Sequence, residues 1–149
     1  MKLWRLDGSF RFRWYPPKEI RVSSPARERR IKVENAEELS REVESLLKSP
    51  HIMGTSCKVK REGDWVWADC GALHIEFYGR EPQVVVEKEG LGVATPVEEI
   101  VGGEDNLTFR GSTFNIRVIP SLNKVEIAGK ETLNGFAIIK GAYMREEEQ

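Results

Sequence analysis

The sequence predicts an α+β fold: a mainly antiparallel, strongly bent β-sheet, barrel- or sandwich-like, with one long amphipathic helix at about 35–49 and one short helix at about 96–101. Three observations predict it. Stretches of period-two alternation recur along most of the chain, separated by turns rich in Gly, Pro and Asn. Only one stretch keeps apolar residues at helical spacing over several turns. The strands follow one another through short connections, which favours antiparallel neighbours over parallel crossovers.

Taken in order, Leu3 to Tyr15 reads as one or two strands bent at Asp7-Gly8, with Phe10, Phe12 and Trp14 alternating with Arg11 and Arg13. Pro16-Pro17 ends it, and Ile20 to Val22 is a short strand. Ala26 to Lys32 holds Arg27, Arg29 and Arg30 and is the densest basic segment. A solvated loop is the ordinary reading of such a run, and a basic binding patch is the alternative. Asn35 to Ser49 is the long helix: Asn35 is a good N-cap, Glu38 stands where a capping box needs a carboxylate, and Pro50 stops it. Ala36, Leu39, Val43, Leu46 and Leu47 share one face, so the helix should cover one side of a sheet.

Ser56 to Cys70 reads as a hairpin turning at Gly63-Asp64. Glycine first in a two-residue loop favours the type II′ turn, whose twist suits a hairpin. That turn pairs Glu62 with Trp65, Arg61 with Val66, Lys60 with Trp67, Val59 with Ala68, Lys58 with Asp69 and Cys57 with Cys70. Leu73 to Tyr78 and Gln83 to Lys88 continue as strands, and Gly90 to Gly92 reads as a loop. Thr95-Pro96-Val97-Glu98 offers an N-cap, a proline at N1 and a capping carboxylate, which is why Pro96 to Val101 is expected as the short helix. Asn106 to Arg110, Thr113 to Ile119, Lys124 to Ala128 and Gly135 to Met144 are the remaining strands, with an acidic tail at 145–149 expected to fray.

At 149 residues the chain is one domain's worth, 1–149, with no linker or repeat to divide it. An apolar share of 40% beside 32% charged residues argues for a globular chain over a disordered one. The net charge of −1 conceals an asymmetry: residues 1–34 carry ten Lys/Arg against four Asp/Glu, the remainder thirteen against twenty. That asymmetry permits a basic binding surface in the N-terminal third. Dense Glu, Lys and Arg with only two Gln is a thermophile's balance. Charges interrupt Met1 to Arg13 too often for a secretory leader, and no apolar run reaches membrane length, so the expected compartment is the cytoplasm with no membrane partner.

Catalytic signatures are weak. His51 and His74 have no Ser or Asp at a recognisable triad spacing, Gly90-Leu91-Gly92 lacks the third glycine of a dinucleotide loop, and Asp69 with Glu76 reads as a surface carboxylate pair. Cys57, Cys70 and His74 lack the close ligand pairs of a zinc site, so neither metal nor cofactor is expected. The cysteines instead suggest a disulfide. Counted outward from the turn, Cys57–Cys70 is a non-hydrogen-bonded pair, where side chains lie closest. The outer face of the hairpin carries Trp65 and Trp67 with Lys58 and Lys60. Rings beside ammonium groups suit nucleic acid, single-stranded or structured, with Arg11, Arg13, Arg27, Arg29 and Arg30 extending the positive field. The expected function is therefore non-catalytic nucleic-acid binding. A protein–protein adaptor, accessory subunit or homo-oligomer using the same Trp face or sheet edges is the rival.

Overall fold

A computed structural model describes residues 4–6, 17–54, 57–88, 91–111, 114–129, 132–133, 136–139 and 142–146. The expected strand with Arg11 and Arg13 lies outside them, apart from β1 at Trp4–Leu6. The hairpin of β2, Glu19–Ser24, and β3, Arg27–Lys32, turns at Pro25-Ala26. The segment expected as a loop is thus an edge strand. Ile31 pairs with Ile20 in the core, and this long-range burial outweighs the basic character of its neighbours.

Helix α1, Ala36–Lys48, is capped as its sequence requires: the Asn35 side chain accepts from the Glu38 N–H, and Asn35 Nδ2 donates to the Glu38 carboxylate at 2.7 Å. Leu39, Val43, Leu46 and Leu47 are buried. Pro50 does not simply end the helical path. With Ser49 as N-cap it opens a second short helix, α2, Pro50–Met53.

Five strands then follow as a meander: β4 Lys58–Glu62, β5 Trp65–Cys70, β6 Leu73–Tyr78, β7 Gln83–Lys88 and β8 Leu91–Pro96. Its first two turns are two-residue loops opening with a glycine at positive φ, Gly63 at 60° and Gly71 at 70°, a conformation a side chain would strain. Leu91 and Gly92, expected in a loop, instead open β8, and Gly90 lies outside the described residues.

The expected short helix at 96–101 is absent: β8 runs to Pro96 and β9 occupies Glu99–Gly102. The capping signal is real but loses to long-range pairing. Thr95 is buried opposite Val84, the Val97 N–H donates to the Pro82 carbonyl and the Glu98 N–H to that of Arg110, while Val97 and Ile100 enter the core. Every local donor a helix would use is already engaged across the sheet.

Strand β9 pairs antiparallel with β10, Leu107–Arg110, and parallel with β2, so one parallel pair interrupts the otherwise antiparallel ladders. With β11, Phe114–Ile119, and β12, Lys124–Gly129, the order of this six-stranded sheet is β12-β11-β10-β9-β2-β3. The last third departs from the single strand expected after Gly135. Strands β13, Thr132–Leu133, β14, Phe136–Ile139, and β15, Ala142–Glu146, form a small sheet with β1. Arg145 and Glu146, expected to fray, are paired with Arg5 and Trp4.

The meander and the six-stranded sheet are joined at Val97-Glu98 and meet through their apolar faces, where Phe77 and Phe109 lie 6.3 Å apart. Helix α1 packs against β3, the edge of one sheet, and against β4, β5 and β6 of the other. The described strands form three open sheets and not a closed barrel.

Candidate partner-binding face

The hairpin register places the candidate residues. β4 and β5 pair from Glu62–Trp65 out to Lys58–Asp69, as the Gly63-Asp64 turn dictates. One position further, Cys57 and Cys70 are joined by a disulfide, their Cα atoms 4.5 Å apart. That separation is the one a non-hydrogen-bonded antiparallel pair provides. Val66, Ala68 and Cys70 point into the core, so Trp65, Trp67 and Asp69 point out.

Register through β6 and β7 arranges the outer face in three rows. Glu62, Trp65, Tyr78 and Gln83 form one; Lys60, Trp67, Glu76 and Val85 the next; Lys58, Asp69, His74 and Glu87 the third. Both indoles are half-buried, their ring centroids 4.4 Å apart. Trp65 also stacks on Tyr78, nearly parallel at 6.1 Å, and so has two ring neighbours. Among the described residues its buried Nε1–H has no acceptor. Among the described residues Trp67 has one ring neighbour, Trp65.

Electrostatically the face is acidic. Lys58 and Lys60 stand against Glu62, Asp69, Glu76 and Glu87. His74 lies within the carboxylates, its Nδ1 2.7 Å from Asp69 Oδ1 and its Nε2 3.7 Å from Glu76 Oε1. Burial disfavours the imidazolium, but the hydrogen bond and charge of Asp69, joined by the charge of Glu76, outweigh it and raise the His74 pKa above its ordinary value. Burial first, then the Glu76 charge, likewise raises the Tyr78 phenol, which donates to Glu76 Oε2 at 3.2 Å.

The arginines do not join this face. Arg27 and Arg29 project from β3 onto α1, where Arg27 pairs with Glu42 and Arg29 with both Glu38 and Glu42. Arg30 points the other way, on the outer face of the six-stranded sheet, beside Arg21. Arg21 is itself held by Glu99 at 2.7 Å. Three arginines of the positive N-terminal third, Arg21, Arg27 and Arg29, are thus matched by carboxylates from the acidic remainder. Arg11 and Arg13 lie outside the described residues.

Sequence reasoning paired Asp69 with Glu76 but missed His74 standing between them. Asp69 and His74 are five residues apart, a spacing with no catalytic ring to it, yet counting outward from a second turn at Gly71-Ala72 places them directly opposite. Among the described residues no three His, Cys, Asp or Glu side chains converge as a metal site requires. Compared with protein-family models, curated proteins and solved structures, the chain matches none.

Proposed function

We propose that this chain acts by binding, and that a protein partner docks on the outer face of β4–β7. The observation that carries this reading is the shelf of Trp65, Trp67 and Tyr78 within a rim of four carboxylates and two lysines. Partly exposed aromatic clusters mark interfaces, where Trp and Tyr supply much of the binding energy. Nucleic acid is the second reading, supported at this face by Lys58 and Lys60 beside the rings. Polyanion affinity comes from neutralised phosphates, and Glu62, Asp69, Glu76 and Glu87 oppose that gain. The protein reading is therefore preferred. An accessory role in the cytoplasm of a thermophile fits the dense ion pairing and belongs to the same proposal. Among the described residues no helix is long and apolar enough to cross a membrane.

A photo-crosslinking side chain at Lys60, with Arg117 on the opposite sheet as control, tests the reading in the native cells. A discrete, protease-sensitive adduct formed at position 60, not at 117, and lost in Trp67→Ala, is expected. A nuclease-sensitive adduct would transfer the face to nucleic acid, and equal labelling at both positions would remove it as an interface.

A further inference from the structure

The charge of the shelf says more about its partner than the rings do. Among the described residues Trp65 has two ring neighbours, Trp67 and Tyr78, and Trp67 only one, so Trp67 is the freer ring. Its neighbours across the strands are Lys60 and Glu76, and the row beyond holds Lys58, Asp69, His74 and Glu87. Four of the face's six formal charges are negative, and among the described residues Glu62 and Glu87 have no ion-pair partner. An indole face attracts a cation through its quadrupole, and a nearby carboxylate adds to the attraction. The two features together suit an organic cation better than an anion.

We infer that the partner presents a cationic segment, with an arginine or lysine side chain laid over Trp67 and its charge facing Glu76 and Asp69. The inference rests on the docking reading above and names the chemistry of what docks. It carries a second consequence. His74 already stands between those carboxylates, 2.7 Å from Asp69 and 3.7 Å from Glu76, so its proton and the partner's charge compete for the same negative field. The other groups around the imidazole are Glu87 directly opposite on β7, Lys58 at the far end of the row on β4, and Tyr78, which reaches it only through Glu76. Docking therefore releases a proton from His74, and acid weakens docking.

Calorimetric titration with a short synthetic Arg-Ser repeat peptide tests this, beside a Glu-Ser repeat and oligo(dT). Runs at about pH 6 and about pH 8 bracket the ordinary histidine range. The Arg-Ser peptide is expected to bind at the higher pH and several-fold more weakly at the lower. Changing to buffers of different ionisation enthalpy should expose the released proton, and His74→Gln should abolish both effects. Trp67→Ala should cost about tenfold, a loss of the size that removing one cation–π contact with its packing implies. Glu87→Lys, an exposed change that leaves the core intact, should weaken binding as well. No Arg-Ser binding, or binding indifferent to both Trp67→Ala and Glu87→Lys, overturns the inference. If the Glu-Ser peptide is the Trp67-dependent ligand, the cation fails while the docking face stands; if only oligo(dT) is, both fail.

Discussion

His74 is the residue whose surroundings do most to set its behaviour. Held by Asp69 and approached by Glu76, it has a raised pKa in the folded protein. A group whose folded pKa exceeds its unfolded value, about 6.5 for histidine, contributes stability that is fully present below that value and fades as pH rises through the folded pKa. The native chain should therefore exceed His74→Gln in melting temperature by more near pH 6 than near pH 8, so long as Asp69 and Glu76 stay ionised. Parallel melting curves across that range would contradict the assignment. Partner binding should show the opposite trend, because the proton that steadies the cluster also occupies the field a cationic partner needs. Few structural roles produce such opposed pH profiles in one residue.

At the scale of elements, the hairpin owes its single register to a turn and a bond. The disulfide closes a loop with a sequence separation of 13 residues. Chain-entropy reasoning puts such a closure at about 2–3 kcal/mol. Reduction, or Cys57→Ser with Cys70→Ser, should lower the urea midpoint accordingly and leave the Trp65–Trp67 face in place, because β5 stays paired between β4 and β6. An unchanged midpoint would mean the bond adds nothing. A second element-level device is the contact of α1 with the meander. Ser40 Oγ donates to the Asp64 carbonyl at 2.6 Å, the Gly79 N–H reaches the same carbonyl, and a Cβ on Gly79 would fall 2.5 Å from both Ala36 O and Ser40 Oγ. Gly79→Ala must push the helix away and should cost about 1–3 kcal/mol, as overpacking does. A wild-type melting curve for that variant would show the contact to be slack. These elements also mark how far the sequence could be read. The hairpin was legible because strict alternation and a Gly-first turn leave one consistent register. Helix α1 was legible because cap, stripe and stop agree. The stretch from Thr95 to Val101 was not, because its capping signal is local while its donors go to Pro82 and Arg110, far along the chain. The placement of Arg27 and Arg29 was not legible for the same reason: their partners, Glu38 and Glu42, belong to another element.

Across the whole molecule, α1 works as a clasp between two sheets that do not otherwise close. Strand β3 ends one sheet and β4 ends the other, and the helix packs against both. Its ion pairs are divided in the same way. Glu38 and Glu42 hold Arg27 and Arg29 of β3, whereas Glu44 reaches Arg61 of β4 at 3.4 Å and Lys48 on its own helix. The two sides should differ in energy. The Glu42 side chain is only 10% exposed and serves two guanidinium groups, so Glu42→Ala removes charge-assisted bonds from a desolvated site. A loss of about 1–3 kcal/mol is expected. Glu44 is more exposed, at 22%, and its contacts with Arg61 and Lys48 are both longer, at 3.4 Å, so Glu44→Ala should cost about 0–1 kcal/mol. If the sheets are clasped independently, the double variant should lose the sum of the singles to within about 0.5 kcal/mol. Temperature sharpens the point, because the penalty for desolvating ions falls on heating and networked pairs gain relative to other contributions. The intact chain should therefore melt above the range of about 45–65 °C typical of mesophile domains. Calorimetry of the wild type and three variants checks all of this in one series. A wild-type midpoint inside that range, or equal losses for Glu42→Ala and Glu44→Ala, would return α1 to an ordinary amphipathic helix held by its apolar face alone.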